Sequence, residues 1–343
     1  MTSKNNTENC TNEPSTQGTD NSQESSECLS DICDTSSSDG YESGDTCDQF
    51  IDQDSSASSF VSEIGDGYPF RNLIEFLRIN NNRGNLRITP SKIIYEQTGI
   101  NDNTPILNYA EINGEELQHY EFHAQGEFYI GINLADVRIH TKNIKRKDSI
   151  RLYKITNQNL LYMQIINNSR TEQENISVIK PQNSEVWQIN YPEYSMSRAN
   201  PNYKLKATEF SNVCTTLCSL KCDYIMVYGF PKGISFEAIA PGGTSLKSFK
   251  FGSQEAITTS PILDDKVNIP TNRPKIKIIY SNNNAPSKVK IRNSIFKSLA
   301  KLNNISPNGL VKFYLEGENP MMISCRIGDY GVLNTYLMSE NIS

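Results

Sequence analysis

The chain has one Trp and three His in 343 residues, and that scarcity already narrows its chemistry. His119, His123 and His140 have no Ser, Cys or carboxylate at a recognisable catalytic spacing, so solvated or packed imidazoles are the base expectation. No Gly-rich loop is built to cradle phosphate. The only candidate, PGGTS at Pro241–Ser245, lacks the lysine that such loops carry and reads as a turn. Cys214, Cys218 and Cys222 are spaced four apart without a second Cys or His pair, so structural thiols are expected rather than a zinc site. No apolar run approaches the length of a membrane span, and the opening MTSKNNTENC has no hydrophobic signal core. The expectation is a protein that is not secreted, has no membrane partner and no cofactor, and is not an enzyme.

Positive charge is nearly missing from the first 66 residues. They hold one Lys, no Arg and fifteen Asp or Glu, a net of −14, which leaves +8 on the remainder of a chain whose total is −6. Ser, Thr, Asn, Asp and Gly dominate, as in DTSSSDGYESGD. Such a segment has too little apolar surface to offset the entropy of ordering, so residues 1–66 are expected to be an acidic disordered tail. Four of the eight Cys lie there (Cys10, Cys28, Cys33 and Cys47), and a reducing compartment gives no reason to expect disulfides. The part that folds is basic, and the overall acidic balance misleads about its partners.

After the tail, two patterns repeat. In YPFRNLIEFLRINNN the residues Phe70, Leu73, Ile74 and Leu77 fall at i, i+3, i+4 and i+7, one buried face of a helix. In ATEFSNVCTTLCSLKCD, Phe210, Val213, Cys214 and Leu217 fall at the same offsets. Each is followed by alternating runs around a short Pro-containing turn. A second helix then appears in each half. The first has Asn133 as cap and Leu134, Val137 and Thr141 inward; the other has Asn293 as cap and Ile295, Leu299 and Leu302 inward. Hairpins follow, one turning at Asn157–Asn159 and one at Gly317–Asn319. In the last hairpin Val311, Phe313 and Leu315 share one face, and Met321, Ile323, Cys325 and Ile327 share another. The order helix, strands, helix, hairpin, twice over, reads as two copies of one α+β unit. A long polar connection with the only Trp separates them. Loops of that length are usually functional or disordered, and the mix of Trp187, Ile189, Pro192 and Tyr194 argues for an ordered segment crossing the surface.

From about Tyr68 to Met338 the chain resembles the PCNA-type DNA sliding clamp family. The resemblance rests on GINLADV followed by a basic helix and DSIRLYKI, on YKLKATEFSNVCTTL followed by GISFEA, and on NPMMISCRIGDYGVLNTYLM at the end, in the family's order. The acidic tail and the Pro/Asn-rich NIPTNRPKIKIIYSNNNAP lie outside the family pattern, and the divergent, Asn-rich character suggests a large DNA virus. The resemblance implies clamp domains at 67–170 and 201–343, joined by a connector at 171–200. It also implies helices lining a central hole, antiparallel sheets outside, and three chains closing head to tail.

The implied subunit edges contain Ile176 and Val178 on one side and Leu246, Phe249 and Phe251 on the other. Cations on the helices or at their ends would hold double-stranded DNA without reading its sequence: Arg71, Arg78, Arg138, Lys142, Lys145, Lys221, Lys297 and Lys301. The implied pocket for a DNA polymerase and other proteins with short aromatic-anchored motifs contains Thr104, Pro105, Trp187, Ile189, Pro192, Tyr194, Pro320, Tyr336 and Leu337. Trp187 is larger than the family's usual aliphatic residue and Thr104 replaces a common His, departures that bear on partner preference. The resemblance implies a homotrimeric processivity factor of replication and repair, in the nucleus or at a cytoplasmic viral replication site. The residues alone also fit a monomeric DNA-binding polymerase accessory protein, or a clamp-like scaffold that does not bind DNA.

Overall fold

The first helix, α1 (Gly67–Asn80), starts where the Asp66 carboxylate accepts a hydrogen bond from Tyr68 N at 3.1 Å. Phe70, Leu73, Ile74 and Leu77 are buried on one face, as their spacing requires. In the computed structural model, residues 58–101, 104–167, 175–182, 203–230, 233–252, 287–315 and 319–339 are described, all within the compact unit Gln53–Ser343. A strand, β1 (Ser58–Ile64), precedes the helix. The expected tail, 1–66, is therefore too long at its end. Phe60, Ser62 and Ile64 alternate inward and are fully buried, a short apolar rhythm that acid-rich flanks conceal in any averaged composition.

The first half continues with β2 (Arg83–Ile88), β3 (Lys92–Asn101), β4 (Thr104–Asn113), β5 (His119–Phe122), β6 (Phe128–Asn133), α2 (Leu134–Thr141), β7 (Ser149–Ile155), β8 (Leu161–Ile166) and β9 (Asn175–Ile179). The second half runs β10 (Tyr203–Lys206), α3 (Ala207–Cys218), β11 (Tyr224–Phe230), β12 (Gly233–Ile239), β13 (Ser245–Gly252), β14 (Ser287–Arg292), α4 (Asn293–Leu299), α5 (Leu302–Ile305), β15 (Leu310–Tyr314), β16 (Met321–Ile327) and β17 (Gly331–Leu337). Each half is a strand, a helix, a group of strands, helix again and a terminal set of strands. Among the described residues, β5, which lies along the outer edge of β1, and the short helix α5 have no counterpart in the other half.

Helix starts differ in origin. Asn133 caps α2 as expected, its side-chain oxygen accepting from Ala135 N at 3.0 Å. Asn293 does not cap α4. It is the first helical residue, and its side-chain amide donates to the Cys222 carbonyl at 2.8 Å, tying α4 to the turn that follows α3. The cap position is Arg292, which makes no side-chain cap bond. The connector also begins later than expected, because β9 pairs with β8 as a regular strand.

The strands form three antiparallel sheets, β5-β1-β7-β8-β9, β10-β15-β16-β17-β4-β3-β2-β6 and β13-β12-β11-β14. The middle sheet crosses between halves: β17 pairs with β4, from Gly331 opposite Ile112 to Leu337 opposite Ile106. At its start a Cβ on Gly331 would lie 2.6 Å from the Glu111 carbonyl oxygen, so the close approach of the two strands requires glycine there. The helices pack together beside the sheets, α1 on α2 and α5, and α3 on α4 and α5. One continuous core runs through both halves. Its second-half centre is a ring cluster in which Phe210 meets Phe313 edge-on at 5.0 Å and Phe296 at 5.8 Å.

A polar ladder lies inside that core and crosses the junction. Gln97 donates to the carbonyls of Asn81 (2.6 Å) and Arg83 (3.3 Å), Asn108 donates to the Gln97 side chain (3.0 Å), and the Thr335 hydroxyl donates to the Asn108 side chain (2.9 Å). Gln97, Asn108 and Thr335 are essentially inaccessible to water, so each group depends on the next for its hydrogen bond. Thr335→Val would keep the shape and leave the Asn108 oxygen without this donor. A loss of about 1–3 kcal/mol is expected, read as a lower urea midpoint with unchanged slope.

Candidate nucleic-acid interface

The strongest concentration of exposed cations begins in the last turn of α2 and continues past its end. Arg138, Lys142, Lys145, Arg146 and Lys147 are all exposed. Their backbone is held by Asp148, which is itself buried. Its carboxylate accepts from Lys145 N at 2.7 Å, and its carbonyl accepts from Gly67 N at 2.8 Å. Ile144 is fully buried and anchors the middle of the loop, and Lys147 takes the left-handed conformation at φ 79° that closes it. The loop is therefore a fixed turn that presents basic side chains, not a loose charge run. Lys221, three residues after α3, and Lys297, on α4, are exposed too.

Other expected contacts are committed inside the protein. The Arg71 guanidinium donates to the Ile144 carbonyl at 2.9 Å and reaches Glu75 at 3.4 Å. Lys301 lies 3.8 Å from the other oxygen of the same carboxylate. Arg78 is half-buried, its Nε covered without a hydrogen-bond partner. These three cations thus serve the packing of α1 against its neighbours at least as much as a ligand, a distinction that counting charges along a helix cannot make. Arg146, whose guanidinium lies 5.4 Å from the Tyr68 ring centre, extends the exposed group instead.

The expected subunit edges fall on β9 and β13, both outermost strands among those described. Ile176 is 49% exposed, Val178 42% and Leu246 46%, high values for large apolar side chains. Phe249 and Phe251 turn the other way and pack, half-buried, on the core.

For the expected pocket, Trp187, Ile189, Pro192 and Tyr194 lie outside the described residues. Thr104 and Pro105 contribute backbone to β4. Pro320 is half-buried before β16. Tyr336, 4% exposed, joins Tyr314 and Met322 in a small cluster flanked by Leu107 and Tyr109 on the face of the sheet away from the main core. Leu337 does not join it. As the next residue of a strand it points to the opposite face and is fully buried in the main core.

Two histidines have a partner that spacing alone did not reveal. On β5 and just after it, His119 and His123 each lie 3.3 Å from one oxygen of Glu121, an exposed cluster with alternate side chains on one side of a strand. The cysteines of the second half are free thiols. Burial raises the Cys214 thiol well above its ordinary value and pushes Cys325 to about 12; burial also pushes Cys218 to about 12, with Cys222 adding to the rise and Lys297 opposing it.

No protein-family model matches the sequence, and no curated protein matches it. The fold does match solved structures. One is the proliferating cellular nuclear antigen from Entamoeba histolytica, at a TM-score of 0.64 and 14% identity, covering 83% of this chain and 100% of that one. The chain has the fold of a PCNA-type clamp.

The contrast between committed and exposed cations gives a direct expectation. Arg71→Ala should lower stability by about 1–3 kcal/mol through the lost charged hydrogen bond to Ile144. Lys142→Ala and Lys297→Ala should change it by no more than ~0.5 kcal/mol. Chemical denaturation of the three variants measures both.

Proposed function

We propose that this chain is the protomer of a DNA sliding clamp, a ring that encircles duplex DNA and carries replication and repair proteins along it. The observation that carries the reading is the match between the internal junction and two of the outermost strands, β9 and β13. Within the chain, the last strand of the second half, β17, pairs with β4 of the first half. By the internal repeat, the equivalent of β17 is β9 and the equivalent of β4 is β13. Both are outermost among the described strands and carry exposed apolar side chains. Applying the same pairing between copies joins β9 of one chain to β13 of the next. Such a head-to-tail contact closes when the rotation divides a full turn. Three chains, each with two halves, then give a ring with alternating internal and intermolecular junctions.

In that ring the helices face the channel. Arg138, Lys142, Lys145, Lys221 and Lys297 supply weak, sequence-independent attraction to phosphates. Contacts of this kind are nearly equal at every position along the duplex, so they are exchanged as the ring moves, and retention comes from closure. No side chain has to do covalent chemistry for this role. We infer that the cluster around Tyr336, together with Pro320 and the connector that contains Trp187, is where short aromatic-anchored motifs of a polymerase and other partners dock. The protein would act wherever such DNA is copied, in the nucleus or at a cytoplasmic viral replication site.

Light scattering tests closure. A mass near three times the 38.6 kDa of one chain is expected, falling to one chain in Val178→Glu/Leu246→Glu. A wild-type mass of one chain at micromolar concentration would remove the ring. Retention at high salt on circular but not linear duplex is the expected sign of encirclement. Lys142→Glu and Lys297→Glu should each shallow the salt dependence of duplex binding by about 1 per protomer.

A further inference from the structure

We propose that the face of the second-half sheet turned away from the helices is a binding surface for single-stranded nucleic acid. The surface is separate from the helix-lined one and does not depend on ring closure. It follows from the register of two neighbouring strands. β11 and β14 pair with Tyr224 opposite Arg292, Met226 opposite Lys290 and Tyr228 opposite Lys288. The alternate residues Ile225, Val227, Val289 and Ile291 are buried in the core beneath the helices. The first set therefore stands on the far side of the sheet, where period two sends it.

On that side cations and rings alternate in contact. Lys290 Nζ lies 4.2 Å from the Tyr224 ring centre and the Arg292 guanidinium 5.9 Å from the same ring, while Lys288 Nζ is 5.8 Å from the Tyr228 ring. Tyr228 in turn stacks with Phe230 at 6.3 Å. Further across the sheet, Lys250 on β13 pairs with Ser235, the residue opposite Tyr228, and adds a fourth cation in the same row. Met226 is buried beneath this layer and gives the rings a firm floor. Among the described strand residues one acid, Glu237, belongs to the face, and it hydrogen-bonds with Tyr228.

The chemistry that fits is specific in kind. Lys288, Lys290 and Arg292 repeat every second residue of a strand, about 6.7 Å apart, comparable to the phosphate repeat of an extended single strand. Rings between cations offer stacking surfaces to bases, and only unpaired bases have faces free to use them. An acidic peptide would need the cations but has no use for the rings. A duplex would meet the cations but could not stack.

Fluorescence anisotropy of a labelled oligothymidylate with the full chain tests this. Binding is expected, with a log–log salt slope near −2 for about three phosphate contacts. Lys288→Glu/Lys290→Glu should weaken it roughly tenfold or more. Tyr224→Ala should weaken it roughly fivefold, and Tyr224→Phe should not. Lys142→Glu/Lys297→Glu, on the helix side, should weaken it far less than Lys288→Glu/Lys290→Glu does. Circular dichroism melts matching the wild type show that the variants fold. Wild-type affinity in folded Lys288→Glu/Lys290→Glu would overturn the proposal. So would displacement by duplex as effective as by single strand, or stronger displacement by an oligoglutamate of equal length.

Discussion

Pairing of β17 with β4 is the contact on which the architecture rests. It joins strands more than two hundred residues apart, turns two four-stranded sheets into one of eight, and lets a single core run through both halves. A backbone ladder alone would tolerate slippage, and a slip by one residue would send every side chain to the wrong face. The chain of Gln97, Asn108 and Thr335 acts against that. Its members are buried and bonded in series, so any other register strands a polar group away from water. Apolar residues hold the halves together, and the amides and hydroxyl determine how they align.

The same division of labour runs through the cations. Arg71 and Lys301 share Glu75, and Arg71 also fastens the loop after α2 by its bond to the Ile144 carbonyl. That loop, stiffened by Asp148, presents the exposed lysines and arginines. Charges engaged by protein hold the scaffold in shape, and charges projecting from it are available to a ligand. On the opposite side of the second-half sheet a further basic group is set among aromatic rings, which makes its chemistry different from that of the helix side.

Much of this was legible in the chain itself. The helical faces of Phe70 to Leu77 and Phe210 to Leu217 announce themselves because local period and burial agree. So does the Asn133 cap, an interaction spanning two residues. What escaped depends on distance or on parity. β1 hides among acids because its apolar residues are few and alternate. Asn293 has the right chemistry for a cap, but Cys222, brought near by the fold, claims its amide. Leu337 and Tyr336 are adjacent in sequence and on opposite sides of a strand, so a motif that groups them conceals their separation. The commitment of Arg71 to Ile144 joins residues seventy-three positions apart, beyond any local pattern.

The two halves meet through interactions that involve no peptide bond at the junction itself, while the covalent path between them runs through the stretch from β9 to β10. Cohesion and connectivity are thus supplied by different parts of the molecule. A backbone nicked in that stretch would remain one particle, its fragments held by β-sheet and core, and a chain divided there into two separately expressed pieces has the means to reassemble.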